Sequence, residues 1–379
     1  MNFKKIIAFT LCILTLCLPL ASCKDKTAPA GNNGTAPKSA TGGSINFEGA
    51  YKKFAPTDVI LTSSDGKYTV TWDVMYYFLC LAIEEINSTT GAYPDLSDLT
   101  ETGYSTQIKT RAEESVLACL AIEYAADEAG AEITDDDRAE IAFNQELAEE
   151  QEGGADGFKK YLAENHLSYE TYIYIVSVID YLYENTVIAT YGEGAKLFSD
   201  ADTAAFLEDT EYLTVKQIYF STTDIDGIKK LDDEALREKQ FTAVSVYDML
   251  TSFEGGDFDA YFDSLMLEYS EDTTAINMYP NGYLFKADET YPALYDAASA
   301  LEIGTYSGVI ETELGFHIVY RLPVNYDIIP QGFAWDVKNT LRSQAARDFF
   351  GQRIENIRTE LGAEATGKFY ELDLADLFK

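Results

Sequence analysis

The sequence predicts an α+β protein: a multi-helical body followed by a small mixed sheet with helices packed on it. Three observations point there. Apolar residues at helical spacing dominate residues 72–210, with caps and glycine stops between the runs. From Tyr212 the pattern turns to strand-like runs, LTVKQIYF at 213–220 and GFHIVYR at 315–321, which bracket further helical stretches. A hydrophobic share of 46% over 379 residues is ample for real cores in one large or two to three ordinary domains.

Charge removes whole classes of function. The chain has 28 Lys and Arg against 64 Asp and Glu, a formal net charge of −36. Neutralising phosphates requires a surplus of basic side chains, so nucleic acid is excluded as a partner, and the folded body does not suit anionic lipid surfaces. Two His and no Cys/His cluster leave no zinc site, and no D-x-D-x-D-G loop marks calcium. No metal or other cofactor is expected.

The elements follow in order. Residues 1–22 read as a secretory signal, with Lys4 and Lys5 ahead of the apolar run IIAFTLCILTLCLPLAS. Leu20-Ala21-Ser22-Cys23 resembles the lipobox of bacterial lipoproteins, in which the signal is cleaved before the Cys and the lipid is attached there. An uncleaved membrane anchor is the alternative, disfavoured by Pro19 and by the short span. Either way the rest of the chain lies outside the cytoplasm. Residues 23–49 read as the lipidated Cys and a flexible linker, rich in Gly, Ala, Thr, Asn, Ser and Pro.

Residues 50–210 form the helical body. VILTSSDGKYTVTW at 59–72 reads as a hairpin turning at Asp65-Gly66. The run VMYYFLCLAIEEIN at 74–87 is apolar nearly all round and so belongs in a core. A second helix at 107–130 stops at Gly130. Thr134 followed by three Asp caps a third, which ends near 151 before Gly153-Gly154. Helices at 158–164, 168–188 and 199–210 complete this part, with His166 read as a solvent-facing loop residue. Cys80 and Cys119 sit in apolar helical patterns; a disulfide between them is open, and two buried thiols are the simpler arrangement. The many helical tyrosines, Tyr76, Tyr77, Tyr161, Tyr172, Tyr174 and Tyr183 among them, are either core and half-buried packing or an amphipathic cradle for unfolded chains.

Residues 211–323 alternate strand 213–220, helix 232–253, a helix opened by Gly255-Gly256-Asp257-Phe258, strand 282–285, helix 292–301 and strand 315–321. Residues 324–379 then provide a long amphipathic helix at 335–361, a final strand at 368–377, and a tail packing back on the helical body.

Residues 212–322 contain, in order, VKQIYF, GGDFDAYFDSL, YSED, NGYLF, YPALYDAASALEIGTYSGVIET and LGFHIVYRL. This region resembles a parvulin-type peptidyl-prolyl isomerase domain, most specifically in the phrase ALEIGTYSGVIETELGFHIV. The hairpin-plus-helix start, the G-x-x-x-F-K-x-Y-L-x-E-N-x-L piece from Gly154 to Leu167 and the long closing helix extend the likeness. Over residues 56–361 the chain resembles the PrsA/SurA-like foldase chaperones, with a SurA N-terminal-like helical domain.

The resemblance implies a membrane-tethered extracytoplasmic foldase that acts on unfolded or nascent secreted polypeptides and isomerises X-Pro bonds. It also assigns a site. His317 matches the second His of the family's polar cluster, Thr312 its hydroxyl residue and Asp272 its Cys/Asp position. Gln217 stands where the family has the first His. That departure matters, because paired imidazoles fix one another's tautomers, whereas Gln donates and accepts but does not titrate. The proline-pocket positions, Met and Phe in the family, are Thr290 and Leu294, and Tyr283, Leu284 and Phe285 are further candidates to line the site. Lys216 and Lys286 are isolated, so no basic cluster favours a phosphorylated substrate. The alternative implied by these departures is a non-catalytic holdase that retains only peptide affinity.

Overall fold

A computed structural model describes residues 45–207, 212–223, 229–286, 292–330 and 336–379. The signal, Cys23, the linker to residue 44, Thr290 and Trp335 lie outside the described residues. The chain divides into two compact units: the part up to Gly192 together with Arg347–Lys379, and Glu193–Ala346. Among the described residues no helix is long and apolar enough to cross a membrane.

In the first unit, helical structure is already present before the predicted end of the linker at Gly49. Phe47–Tyr51 (α1) is a helix capped by the Asn46 side chain. Ile45 and Phe47 pack against the core, Phe47 edge-on to Tyr93 and Phe378; two large apolar side chains are enough to pin this end of the linker. Val59–Thr62 (β1) and Thr69–Thr71 (β2) form the antiparallel hairpin. Trp72–Thr90 (α2) and Tyr104–Ala129 (α3) follow, each ended by a left-handed glycine.

Thr134 and Asp137 form a reciprocal capping box on Asp135–Gln151 (α4). Ala155–Glu164 (α5) precedes Tyr169–Ile173 (α6), which passes through a π-helical turn at Tyr174–Val178 into Ile179–Tyr191 (α7). The core joins Trp72, Met75, Leu79 and Ile83 of α2 to Ile108, Val116 and Leu120 of α3, with Phe350 and Ile354 of the helix Leu341–Glu364. Cys80 and Cys119 are buried thiols without a disulfide. Tyr76, Tyr77 and Tyr183 are buried in the core, and Tyr161, Tyr172 and Tyr174 pack against it. These six tyrosines are packing groups.

Two local expectations fail here. The predicted strand at 368–377 is instead a 3-10 turn, Lys368–Glu371, and a short helix, Leu374–Leu377. The Asp373 carboxylate accepts from the backbone N–H groups of Ala375 and Asp376, which caps a helix, and Leu374 and Leu377 bury at helical spacing. His166 is not solvent-facing: its side chain is 16% exposed, stacked on the Phe47 ring at 4.1 Å between centroids.

The second unit holds a four-stranded sheet in the order β4-β3-β6-β5, made of Leu213–Ser221 (β3), Tyr283–Phe285 (β4), Ile310–Glu311 (β5) and Gly315–Leu322 (β6). All three pairings are antiparallel, where the sequence predicts a mixed sheet. The turn between β5 and β6 spans only residues 312–314, too short for a parallel crossover. Even-numbered residues of the central strands (Ile218, Phe220, Phe316, Ile318) pack with Val246, Leu250 and Phe262 from Asp233–Thr251 (α8) and Phe258–Tyr269 (α9). Odd-numbered ones (Leu213, Val215, Val319) pack with Ala275 of Thr273–Met278 (α10), Tyr283, and Leu294 and Ala298 of Pro292–Ser299 (α11). Gly282 turns into β4 at φ 99, and a Cβ there would stand 3.2 Å from the Val215 carbonyl oxygen; the NGYLF turn therefore needs its glycine. This unit reaches beyond 211–323 on both sides because Arg342 ties Asp200 (2.7 Å), Asp327 (2.9 Å) and the Phe198 carbonyl together.

Candidate active site

Strand alternation decides which side chains share a face. On β3 it sends Lys216 to the helix-packed side, where its ammonium pairs with Asp263 at 2.5 Å. Gln217 and Tyr219 take the other side. The β3–β6 register sets Tyr219 opposite His317 and Gln217 opposite Val319.

The four polar positions singled out in the sequence come together in one hydrogen-bonded chain. The Gln217 amide donates to Asp272 Oδ2 at 2.7 Å, Gln217 Oε1 lies 3.0 Å from His317 Nδ1, and His317 Nε2 lies 2.8 Å from Thr312 Oγ1. Asp272 caps α10, its Oδ1 accepting from the Ala275 N–H at 2.9 Å. Only one direction satisfies every link. A carboxylate only accepts, so it takes the Gln217 NH₂ and leaves Oε1 facing the ring. Oε1 in turn only accepts, so Nδ1 carries the imidazole proton. Nε2 is then the acceptor, and the Thr312 hydroxyl donates to it.

Burial sets the charge state. His317 is 2% exposed and Gln217 8%. Desolvation pushes the His317 pKa down to about 4 against the pull of the Asp272 charge, so the imidazole is neutral at neutral pH. With neutral groups on both its nitrogens, His317 is not primed as the base of a hydrolase. The arrangement presents instead a fixed set of dipoles that needs no proton transfer to act.

Tyr219, which the sequence reading did not single out, stacks on His317 with centroids 4.9 Å apart, and its hydroxyl donates to the Leu314 carbonyl at 2.9 Å. It thereby braces the ring and the β5–β6 turn together. The available signal was its spacing, two residues beyond Gln217 on the same face. Tyr283 and Leu294 are buried in the apolar cluster on this face of the sheet, and burial together with the Asp272 charge pushes the Tyr283 hydroxyl pKa up. Phe285 pairs through its backbone with Leu213; its side chain, like Thr290, lies outside the described part. No group of three metal-ligating side chains occurs among the described residues.

Residues 228–322 match the rotamase family, described as a PPIC-type PPIase domain. The match spans Asp272, Thr312 and His317 and begins after Gln217. Among solved structures, the chain is similar to PrsA from Bacillus subtilis at 20% identity, covering 74% of this chain and 96% of that one, with a TM-score of 0.25. It is similar to the peptidylprolyl isomerase PrsA from Bacillus cereus at 18% identity, covering 86% and 98%, with a TM-score of 0.26. It is also similar to one of two SurA-like chaperones of Campylobacter jejuni at 16% identity, covering 79% and 97%, with a TM-score of 0.23. No curated protein matches.

Proposed function

We propose that this chain, whose residues 228–322 form a PPIC-type peptidyl-prolyl isomerase domain, is a membrane-tethered extracytoplasmic foldase. In this reading the lipid is attached at Cys23, the helical unit holds unfolded secreted polypeptides, and the sheet unit speeds X-Pro isomerisation. One observation supports the catalytic half above the others: Asp272, Gln217, His317 and Thr312, spread over a hundred residues of sequence, are linked in a single polar chain beside an apolar cluster.

The chemistry required is modest. Resonance gives the peptide C–N bond its double-bond character and a barrier of ~18–20 kcal/mol. X-Pro bonds interconvert over tens to hundreds of seconds, slow enough to limit folding. An apolar grip on the proline ring and oriented dipoles that favour the twisted amide lower that barrier by differential binding, with no bond made or broken. Neutral His317, its tautomer fixed through Gln217, keeps the Thr312 hydroxyl and the sheet edge in place for that task.

A protease-coupled assay on a proline tetrapeptide tests this. The wild type should exceed the uncatalysed rate, and His317→Ala should lose about a hundredfold, as when one preorganised polar group is removed. A wild-type rate at background removes the catalytic half. Gln217 favours a second reading, a holdase whose isomerase domain only binds: with no titratable partner for His317, the chain keeps one direction. Gln217→His then creates activity where the wild type has none. Cys23→Ser should shift the protein from the membrane to the soluble fraction.

A further inference from the structure

The helical unit contains a cavity of about 620 Å³ between β2, the first turn of α2, α3 and the π-helical turn after α6, within the range of small-ligand sites. Its chemistry is one-sided. Asp73, Glu123 and Glu170 line it, and no Lys, Arg or His does. Among the described residues, the Asp73 carboxylate is held by neutral hydroxyls, those of Tyr51 at 2.7 Å, Ser168 and Thr171. Glu123 accepts from the Tyr174 hydroxyl at 2.8 Å, and burial, with the nearby Asp127 charge, raises its pKa. Elsewhere in this unit the partly buried Glu184 has a cation, Arg347 at 2.6 Å. Val70, Val74, Val116 and Pro56 supply its apolar walls, and Thr57, Thr69 and Thr71 line it as well.

We propose that this cavity is a side-chain pocket for arginine, filled by an Arg of an extended client segment whose guanidinium faces Asp73 and Glu123 and whose stem lies on Val74 and Val116. The occupant follows from complementarity: an apolar-walled, anionic, hydroxyl-rich space lacks only a cation on an aliphatic stem. Arginine suits it better than lysine. Its guanidinium is less strongly hydrated, offers five donors to acceptors already partly engaged, and stacks on aromatic faces such as Tyr174. The inference deepens the chaperone half of the proposed function and rests on it.

The test uses full-length protein and a labelled, unstructured, proline-free peptide carrying one Arg, compared by fluorescence anisotropy with the same peptide carrying citrulline. Citrulline keeps the shape and removes the charge. The Arg peptide should bind about tenfold more tightly, the scale of one desolvated charge-assisted contact. Glu123→Gln, which keeps the acceptor for Tyr174, should cut that preference to within about threefold, while the exposed control Glu146→Gln should leave it intact. Equal affinity for the two peptides, or a preference that survives Glu123→Gln or falls equally with Glu146→Gln, overturns the pocket. Because Asp73→Asn risks the fold, the peptide pair carries the test on wild type. Client protection in an aggregation assay separates the two levels: protection without Arg preference leaves the chaperone half standing and the pocket refuted, and absence of both refutes both.

Discussion

The chain has two histidines, and the structure uses them in opposite ways. His317 lies on the central strand β6, buried and hydrogen-bonded on both ring nitrogens. His166 sits after helix α5 with φ 58, stacked on Phe47 and with Nε2 3.6 Å from Glu84. The first is fixed by a sheet register and a directed polar chain, the second by one ring face and a helix-ending turn. The contrast teaches that the same side chain is legible from sequence where a strand dictates its direction, and illegible where a neighbour distant in sequence does.

Truncation should separate the two most sharply. His317→Ala leaves Gln217 and Thr312 without their buried partner and opens a ring-sized space, which should cost about 4 kcal/mol in urea unfolding. A cost below about 1 kcal/mol, the range of surface substitutions, would show that the polar chain does not hold the sheet together.

Acid comes next. The folded His317 pKa of about 4 lies below its ordinary 6.5, so between those values the unfolded chain binds the extra proton. The contribution is therefore fully present above pH 6.5 and is lost as pH falls to about 4, by about 3 kcal/mol. Because the many carboxylates also titrate, the quantity to measure is wild-type stability minus that of His317→Asn across this range; a flat difference would mean that the ring is not desolvated. On the same ground isomerase rates should be level from pH 5.5 to 8, and a midpoint near 6.5 would break the assignment of a neutral ring. A smaller loss, about 1–2 kcal/mol, is expected for Thr312→Val, which leaves His317 Nε2 as an unsatisfied acceptor.

How much of this was readable depends on the kind of constraint. Period-two alternation in LTVKQIYF and GFHIVYR fixes which residues of each strand share a face, but bringing Gln217 to His317 across the two strands needed the family resemblance. Asp272 and Thr312 needed the family resemblance, because as isolated residues they are a helix cap and a turn neighbour. Helices α2 and α3 were legible from apolar density and glycine stops. The two-residue strand β5 and the six-residue helix α10 were not, being shorter than the periods that would reveal them. Leu374 and Leu377 escaped for a related reason: over ten residues, spacing by three and by two are hard to tell apart, and the Asp373 cap decides.

His166 escaped because its environment is tertiary. The bonds Leu167 N–H to Leu162 O at 2.9 Å and His166 N–H to Ala163 O at 3.3 Å are those of a Schellman turn ending α5, a position that glycine usually holds because its φ is positive. His166 carries that backbone cost and recovers it through the Phe47 ring. Replacing it should reverse the usual order of substitutions. Ala loses the stacking and keeps the left-handed strain, whereas Gly loses the stacking and sheds the strain, so His166→Gly should unfold at higher urea than His166→Ala, by about 1 kcal/mol. Were Ala the more stable of the two, stacking on Phe47 could not be what compensates this turn.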